Sequence, residues 1–288
     1  MSQNNVSPDS THTVETFVHH DPWEKLRQFT NARIGIGRVG TSIPTSELLR
    51  FQLSHAQAID AVHVPLDTRE LCAQLESEPR LHSYLPAFEL HSEVQNRMEY
   101  LQRPDYGRRL NEASFYQLQQ YHQQSADHFD LAIVIADGLS SYAISHHAAP
   151  FLTHLIRQLH DDPEKEWHIA PLCIVKQGRV AIGDDVGEAL NAKEVLVLVG
   201  ERPGLSSPDS MGLYLTWHPH RGMEDSLRNC ISNVRPEGLD YQRAAHKCLY
   251  LLKESHRIRL TGVGLKDRSE DKELEARTTQ AFCLVHTQ

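Results

Sequence analysis

Residues Lys176–Gly204 read KQGRVAIGDDVGEALNAKEVLVLVGERPG, and the fold class is decided there. Gln177-Gly178 marks a turn, after which a short β-run ends at Ile182. The acidic, alanine-containing segment Asp184–Lys193 has helical character. Val195-Leu-Val-Leu-Val199 then forms an uninterrupted apolar run that stops at Gly200-Glu201-Arg202-Pro203-Gly204. A run that is apolar at every position suits a strand buried on both faces, and such strands sit in parallel sheets covered by helices. Ligands of open α/β sheets bind beyond the carboxyl ends of those strands. Glu201 and Arg202 therefore stand where a bound molecule would lie. The competing readings of this turn are an internal Glu–Arg ion pair and a plain solvated loop.

Working outward, the same alternation continues. Leu131–Ala136 (LAIVIA) reads as a buried strand closed by Asp137-Gly138, and a helix is expected from about His147 to Leu159. Ile169–Val175 reads as a strand, Asp240–Ser255 as a helix and Arg257–Leu260 as a last strand. Strands alternating with helices imply a doubly wound α/β domain, expected over residues 126–266. The preceding stretch, residues 22–125, has a helical period and reads as an α-helical domain. Asp21-Pro22 starts a helix through Phe29. Thr45-Ser46-Glu47 precedes an apolar stripe of Leu48, Leu49, Phe51, Leu53, Ala56, Ile59 and Val62, and Ser92–Tyr100 and Arg108–Tyr121 read as two further helices. Residues 1–21, with Val14, Phe17 and Val18, form a polar lead expected to be flexible. Residues 267–288 form a charged tail.

Composition limits the function. A content of 40% hydrophobic and 23% charged residues suits a globular chain with a real core. The net charge of −9 argues against nucleic-acid binding, which needs a clustered basic surface. No apolar run approaches the roughly 20 residues that span a bilayer, and the lead lacks the pattern of a secretory signal. Five dispersed cysteines without a CxxC pair read as reduced thiols in a cytoplasmic protein. Nineteen histidines invite a metal reading. The best candidates, His218-Pro-His220 and His146-His147, have no carboxylate or cysteine at ligand spacing, so no metal site is expected.

Three other motifs carry alternatives. Gly35-Ile-Gly37-Arg-Val-Gly40 matches GxGxxG, yet a helical pattern precedes it and Pro44 delays the next helix. A dinucleotide needs a strand before these glycines and a helix opening within them, so a connecting loop is the better reading. A stand-alone nicotinamide oxidoreductase is the runner-up function. Asp137-Gly138-Leu-Ser-Ser141 suits either a polar ligand edge or a strand-to-helix turn with serine caps. Neither serine lies in a GxSxG elbow. Cys230, at the start of an apolar CISN turn, reads as a small packing thiol, and Val180 falls on the short β-run.

Six blocks in order, ARIGIGRVGTSIPTSELLRFQLSHAQAIDAVH, RPDYGRRL, IADGLSSYAI, GRVAIGDDVGEALNAK, LVGERPGL and CISNVRPEG, resemble the small subunit of ethanolamine ammonia-lyase from about Arg33 to Asp267. The resemblance implies a helical N-terminal domain followed by a Rossmann-like, cobalamin-binding α/β domain. It implies adenosylcobalamin as cofactor, held in part by Val180, Glu201 and Cys230. No DxHxxG stretch is present to suggest a replacing histidine, and the resemblance implies that the cofactor's own base stays on cobalt. The implied reaction converts ethanolamine to acetaldehyde and ammonia by a radical mechanism. Catalytic groups would belong to a separate large subunit, so this chain is assigned no catalytic residue and is expected to be inactive alone. A cytoplasmic location follows, with the ethanolamine-utilisation microcompartment as a further destination that the short lead leaves in doubt. A non-enzymatic assembly protein with a vestigial ligand site is the third reading.

Overall fold

The strand–helix alternation gives a six-stranded sheet with helices on both faces. The computed structural model describes residues 17–125 and 128–269. Val14, most of the lead, Cys283 and most of the charged tail lie outside the described residues. The strands are β1 (Phe88–His91), β2 (Leu131–Ala136), β3 (Cys173–Lys176), β4 (Glu194–Gly200), β5 (Met211–Trp217) and β6 (Arg228–Val234), in the order β1-β3-β2-β4-β5-β6. The first four in this order run parallel. β5 and β6 are added antiparallel.

The principal helices are α1 (Thr45–His63), α2 (Thr68–Glu76), α3 (Arg97–Gln102), α4 (Glu112–Ser125), α5 (Ser141–His160), α6 (Ile182–Ala189) and α7 (Tyr241–Ile258). From β2 the chain passes through α5 to β3 on one side; from β3 it returns through α6 to β4 on the other. The winding thus reverses across β2, and ligands of open α/β sheets bind at such reversals.

Alternate residues of β2 and β4 serve the two faces. Leu131, Ile133, Ile135, Leu196 and Leu198 join a core with α2, α5 and α7. Ala132, Val134, Ala136, Val195, Val197 and Val199 join a second core with α4 and α6. Every residue of β2 and β4 is buried, which explains the uninterrupted apolar runs. Each such Leu, Ile or Val contributes about 1.5–3 kcal/mol by leaving water.

The described residues fall into two compact units divided between Ala56 and Gln57. In the first, Asp21 caps a 3-10 helix, Pro22–Gln28, and the Arg27 guanidinium bonds the Ile34 carbonyl at 2.7 Å and Glu47 at 2.9 Å. The GxGxxG stretch is a loop here, with no strand before it. Gly35 and Gly37 have positive φ, and a Cβ on Gly37 would collide with the His19 carbonyl oxygen. No helix among the described residues is long and apolar enough to cross a membrane.

Several expected elements are corrected. Gly178–Ala181 is a turn leading into α6 and not a β-run. The strand expected over Ile169–Val175 is confined to Cys173–Lys176, with Ile169 in a single bridge to Leu131. The helix expected from Ser92 begins at Arg97, where Asn96 supplies the cap. Among the described residues no strand follows α7, which ends at Arg259 in the left-handed conformation. β1 arises within a stretch read as helical, and β5 and β6 went unread. Cys230 lies in β6 and not in a turn. On α1, Leu48, Leu49, Phe51, Leu53 and Ile59 are exposed, and Ala61 is the buried residue.

Candidate functional site

The loops leaving β2, β3 and β4 converge where the winding reverses. Asp137, the first residue beyond β2, is 1% exposed. Its Oδ1 accepts the Gly178 N–H at 3.0 Å, and Arg97 Nη1 lies 3.4 Å from its Oδ2. Burial pushes its carboxyl up to about 6, against the opposing pull of Arg97 and three backbone N–H groups. Arg97 also donates from Nε to the Val62 carbonyl at 2.7 Å and stacks its guanidinium 4.5 Å from the Tyr100 ring centre. The Tyr100 hydroxyl donates to the Gly178 carbonyl at 3.2 Å. Asp137, Arg97 and Tyr100 thereby hold the turn that carries Val180.

The loop after β2 is locked against the end of β4. The Leu139 N–H donates to the Gly200 carbonyl at 2.9 Å. A Cβ on Gly200 would collide with the carbonyl oxygens of Ser140 and Asp137, and one on Gly138 with the Gly200 carbonyl. Ser140 caps α5 through the Ala143 N–H and donates to the Pro208 carbonyl at 2.9 Å; Ser141 donates to the Val64 carbonyl. Both hydroxyls are spent on structure, so the serine-cap reading holds.

Glu201 follows this junction directly. Its Oε2 accepts the Ser210 hydroxyl and, at 3.3 Å, the Asn233 N–H. Its Oε1 lies over Gly212, within 3.0 Å of where a Cβ there would stand. One oxygen is anchored and the other is presented across bare backbone. No ion pair joins Glu201 to Arg202, whose side chain is exposed. Asn233 holds φ +60°, and its side chain accepts from Arg235, which reaches Asp209 at 3.4 Å. Asp209 in turn meets buried His147, which also bonds the Tyr241 hydroxyl at 2.8 Å. Burial lowers the His147 pKa, with Asp209 opposing.

Cys230 pairs across the ladder with Tyr214. Cys230 is exposed, with its sulfur 3.3 Å from the Ser232 hydroxyl. Val180 and Tyr214 both pack, partly buried, against the core beneath α4 and α6. Glu201, Gly212, Tyr214 and Cys230 are neighbours on β4, β5 and β6, while Val180 lies in the turn before α6. Sequence reading passed over Gly212 and Tyr214 because β5 was not recognised.

The paired acids of GDDVG are structural. Asp184 forms a bidentate pair with buried Arg228 at 2.6 and 2.8 Å, and Asp185 one with Arg221 at 2.8 and 2.9 Å. His220 Nδ1 bonds the His218 carbonyl at 3.0 Å. Among the described residues no group of three or more His, Cys, Asp or Glu side chains is placed to hold a metal.

The fold and site define a mixed α/β subunit that presents a polar edge beyond its strand ends. A sequence profile of the ethanolamine ammonia-lyase light chain (EutC) family matches residues 20–266. The chain is 53% identical to the ethanolamine ammonia-lyase small subunit of Pseudomonas fluorescens Pf0-1 over 256 residues, 89% of this chain and 90% of that one. It is 51% identical to that of Pseudomonas putida KT2440 over 255 residues, 88% and 91% of the two chains. The chain belongs to the ethanolamine ammonia-lyase small-subunit family, and is the part of an ammonia-lyase that works with a large subunit.

Proposed function

We propose that this chain helps bind adenosylcobalamin at its interface with the catalytic large subunit, in an enzyme that converts ethanolamine to acetaldehyde and ammonia by a radical mechanism. The α/β unit would serve as a Rossmann-like cobalamin-binding domain. The observation that carries this reading is the Glu201 carboxylate, anchored by Ser210 and Asn233 through one oxygen with the other turned over Gly212. An ionised carboxylate is an acceptor only, and the corrin rim is edged with primary amides that donate. Cys230 adds a small sulfur, and Val180 an apolar contact on the same core layer.

When bound, the cofactor supplies the radical that starts the reaction; these residues hold and orient it. They place no acid or base at a reacting atom, in keeping with catalytic groups in the partner. The apolar side chains that α1 leaves exposed fit burial against that partner. A cytoplasmic location goes with this reading.

The test is a Glu201→Ala variant co-assembled with the large subunit and titrated with adenosylcobalamin. The expected loss is about 1–3 kcal/mol of binding. An assembled variant with unchanged affinity overturns the role of Glu201. An assembled wild-type complex that releases no acetaldehyde from ethanolamine overturns the enzymatic reading.

A further inference from the structure

The two faces of the sheet are unequally covered at the antiparallel end. On one face, Met211, Leu213 and Leu215 of β5 and Ile231 and Val234 of β6 pack beneath α7. On the other face α4 and α6 lie over the parallel strands. The residues of β5 and β6 directed to that second face are Gly212, Tyr214, Cys230 and Ser232. Cys230 and Ser232 are exposed, and Tyr214 is half-buried. Toward β4 the strip is bordered by Glu201, whose Oε1 lies over Gly212. At its other end the Arg228–Asp184 pair closes it, with Thr216 bonded to Arg228 at 3.1 Å.

Tyr214 stands at the centre of this strip. It faces Cys230 across the ladder, its ring edge is 3.2 Å from where a Cβ on Gly212 would stand, and it shares a core layer with Val180. With no side chain at Gly212, the Tyr214 ring and the Glu201 carboxylate close over the strand backbone side by side. Burial, the neighbouring Cys230 and the nearby charge of Glu201 all hold the phenol protonated. Its hydroxyl oxygen has acceptor capacity.

We infer that Tyr214 is a further cofactor-contact residue, its ring flooring the macrocycle's rim between Glu201 and Cys230 and its oxygen accepting from a peripheral amide. The inference rests on the cobalamin reading above. It extends that reading from three separate positions to a continuous strip of strand face, with acceptor atoms at Glu201, Tyr214 and Cys230 matching a donor-edged ligand. An aromatic floor contributes apolar area to a large flat ligand as well as the hydrogen bond.

Tyr214→Phe and Tyr214→Ala, each assembled with the large subunit, would be titrated with adenosylcobalamin by absorbance, beside wild type and Glu201→Ala. Loss of the hydroxyl is expected to raise Kd roughly 3- to 10-fold, about one hydrogen bond. Loss of the ring is expected to raise it further, roughly 10- to 100-fold. The melting temperature of the Phe variant should match wild type; a merely structural role would spoil assembly or stability instead. If wild type binds and Glu201→Ala is weakened while both Tyr214 variants bind as wild type does, the inference falls and the cobalamin reading stands. If Tyr214→Phe lowers the melting temperature and leaves Kd unchanged, the residue is structural and the inference falls. If the assembled wild type takes up no cobalamin, the underlying reading falls first.

Discussion

The parallel and antiparallel halves of the sheet are built to different ends. β2 and β4 are buried at every position between two layers of helices, so each residue is committed to packing. β6 is buried at Arg228, Ile231 and Val234 alone, and Cys230, Ser232 and Asn233 are exposed. Of the proposed ligand residues, Glu201, Tyr214 and Cys230 lie where the second helical layer stops. A fully covered sheet gives rigidity, and a half-covered one gives a surface; this chain joins the two at a single strand boundary, β4 to β5.

The sharpest way to break the comparison is to make one change in both halves. Gly200→Ala drives a Cβ into two backbone carbonyls and should cost more than about 3 kcal/mol of unfolding free energy, or prevent folding. Gly212→Ala meets only movable side chains, at 3.0 and 3.2 Å, and should cost less than about 1 kcal/mol in the same denaturation experiment. Equal effects would erase the distinction.

A nearly comparable loss is expected at the seam between the halves. Arg228→Ala strands Asp184, whose side chain is 4% exposed, as an uncompensated buried charge. Urea denaturation should register a loss of about 3–5 kcal/mol, and adding Asp184→Asn should return part of it. A single-variant loss below about 1 kcal/mol would mean that the pair is not closed in solution.

The third effect is a pH slope from the covered half. Asp137 ionises near 6 when folded, well above an ordinary aspartate. The unfolded state loses this proton first as pH rises. The contribution of Asp137 is therefore complete below about pH 4 and is lost as pH climbs toward 6 and beyond, by ~3 kcal/mol. The stability difference between wild type and Asp137→Asn should shift against wild type by that amount between pH 4 and 7, followed by denaturation at each pH. A pH-independent difference would place Asp137 among ordinary carboxylates.

The covered half was legible in the sequence for the reason that makes it rigid. A strand buried on both faces writes a continuous apolar run, and LAIVIA and VLVLV were read at sight. β6, RNCISNV, mixes charge, polar and apolar residues because it answers to a core on one side and to solvent on the other, so it resembled a turn. The α1 stripe misled in the opposite direction, since helical spacing of apolar residues does not say whether this chain or another covers them. Glu201 could be singled out from its place after an apolar run. Tyr214 and Gly212 could not, because they matter only once β5 is known to lie beside β4.

The contact of Gly138 with Gly200 has a mechanical consequence. Backbone touches backbone there, with no side chain between to rotate or compress, so the loop after β2 and the end of β4 form a joint without slack. Glu201 is the next residue along. A displacement of the β2 loop, which also holds Asp137 and through it the Val180 turn, is transmitted to the carboxylate undamped.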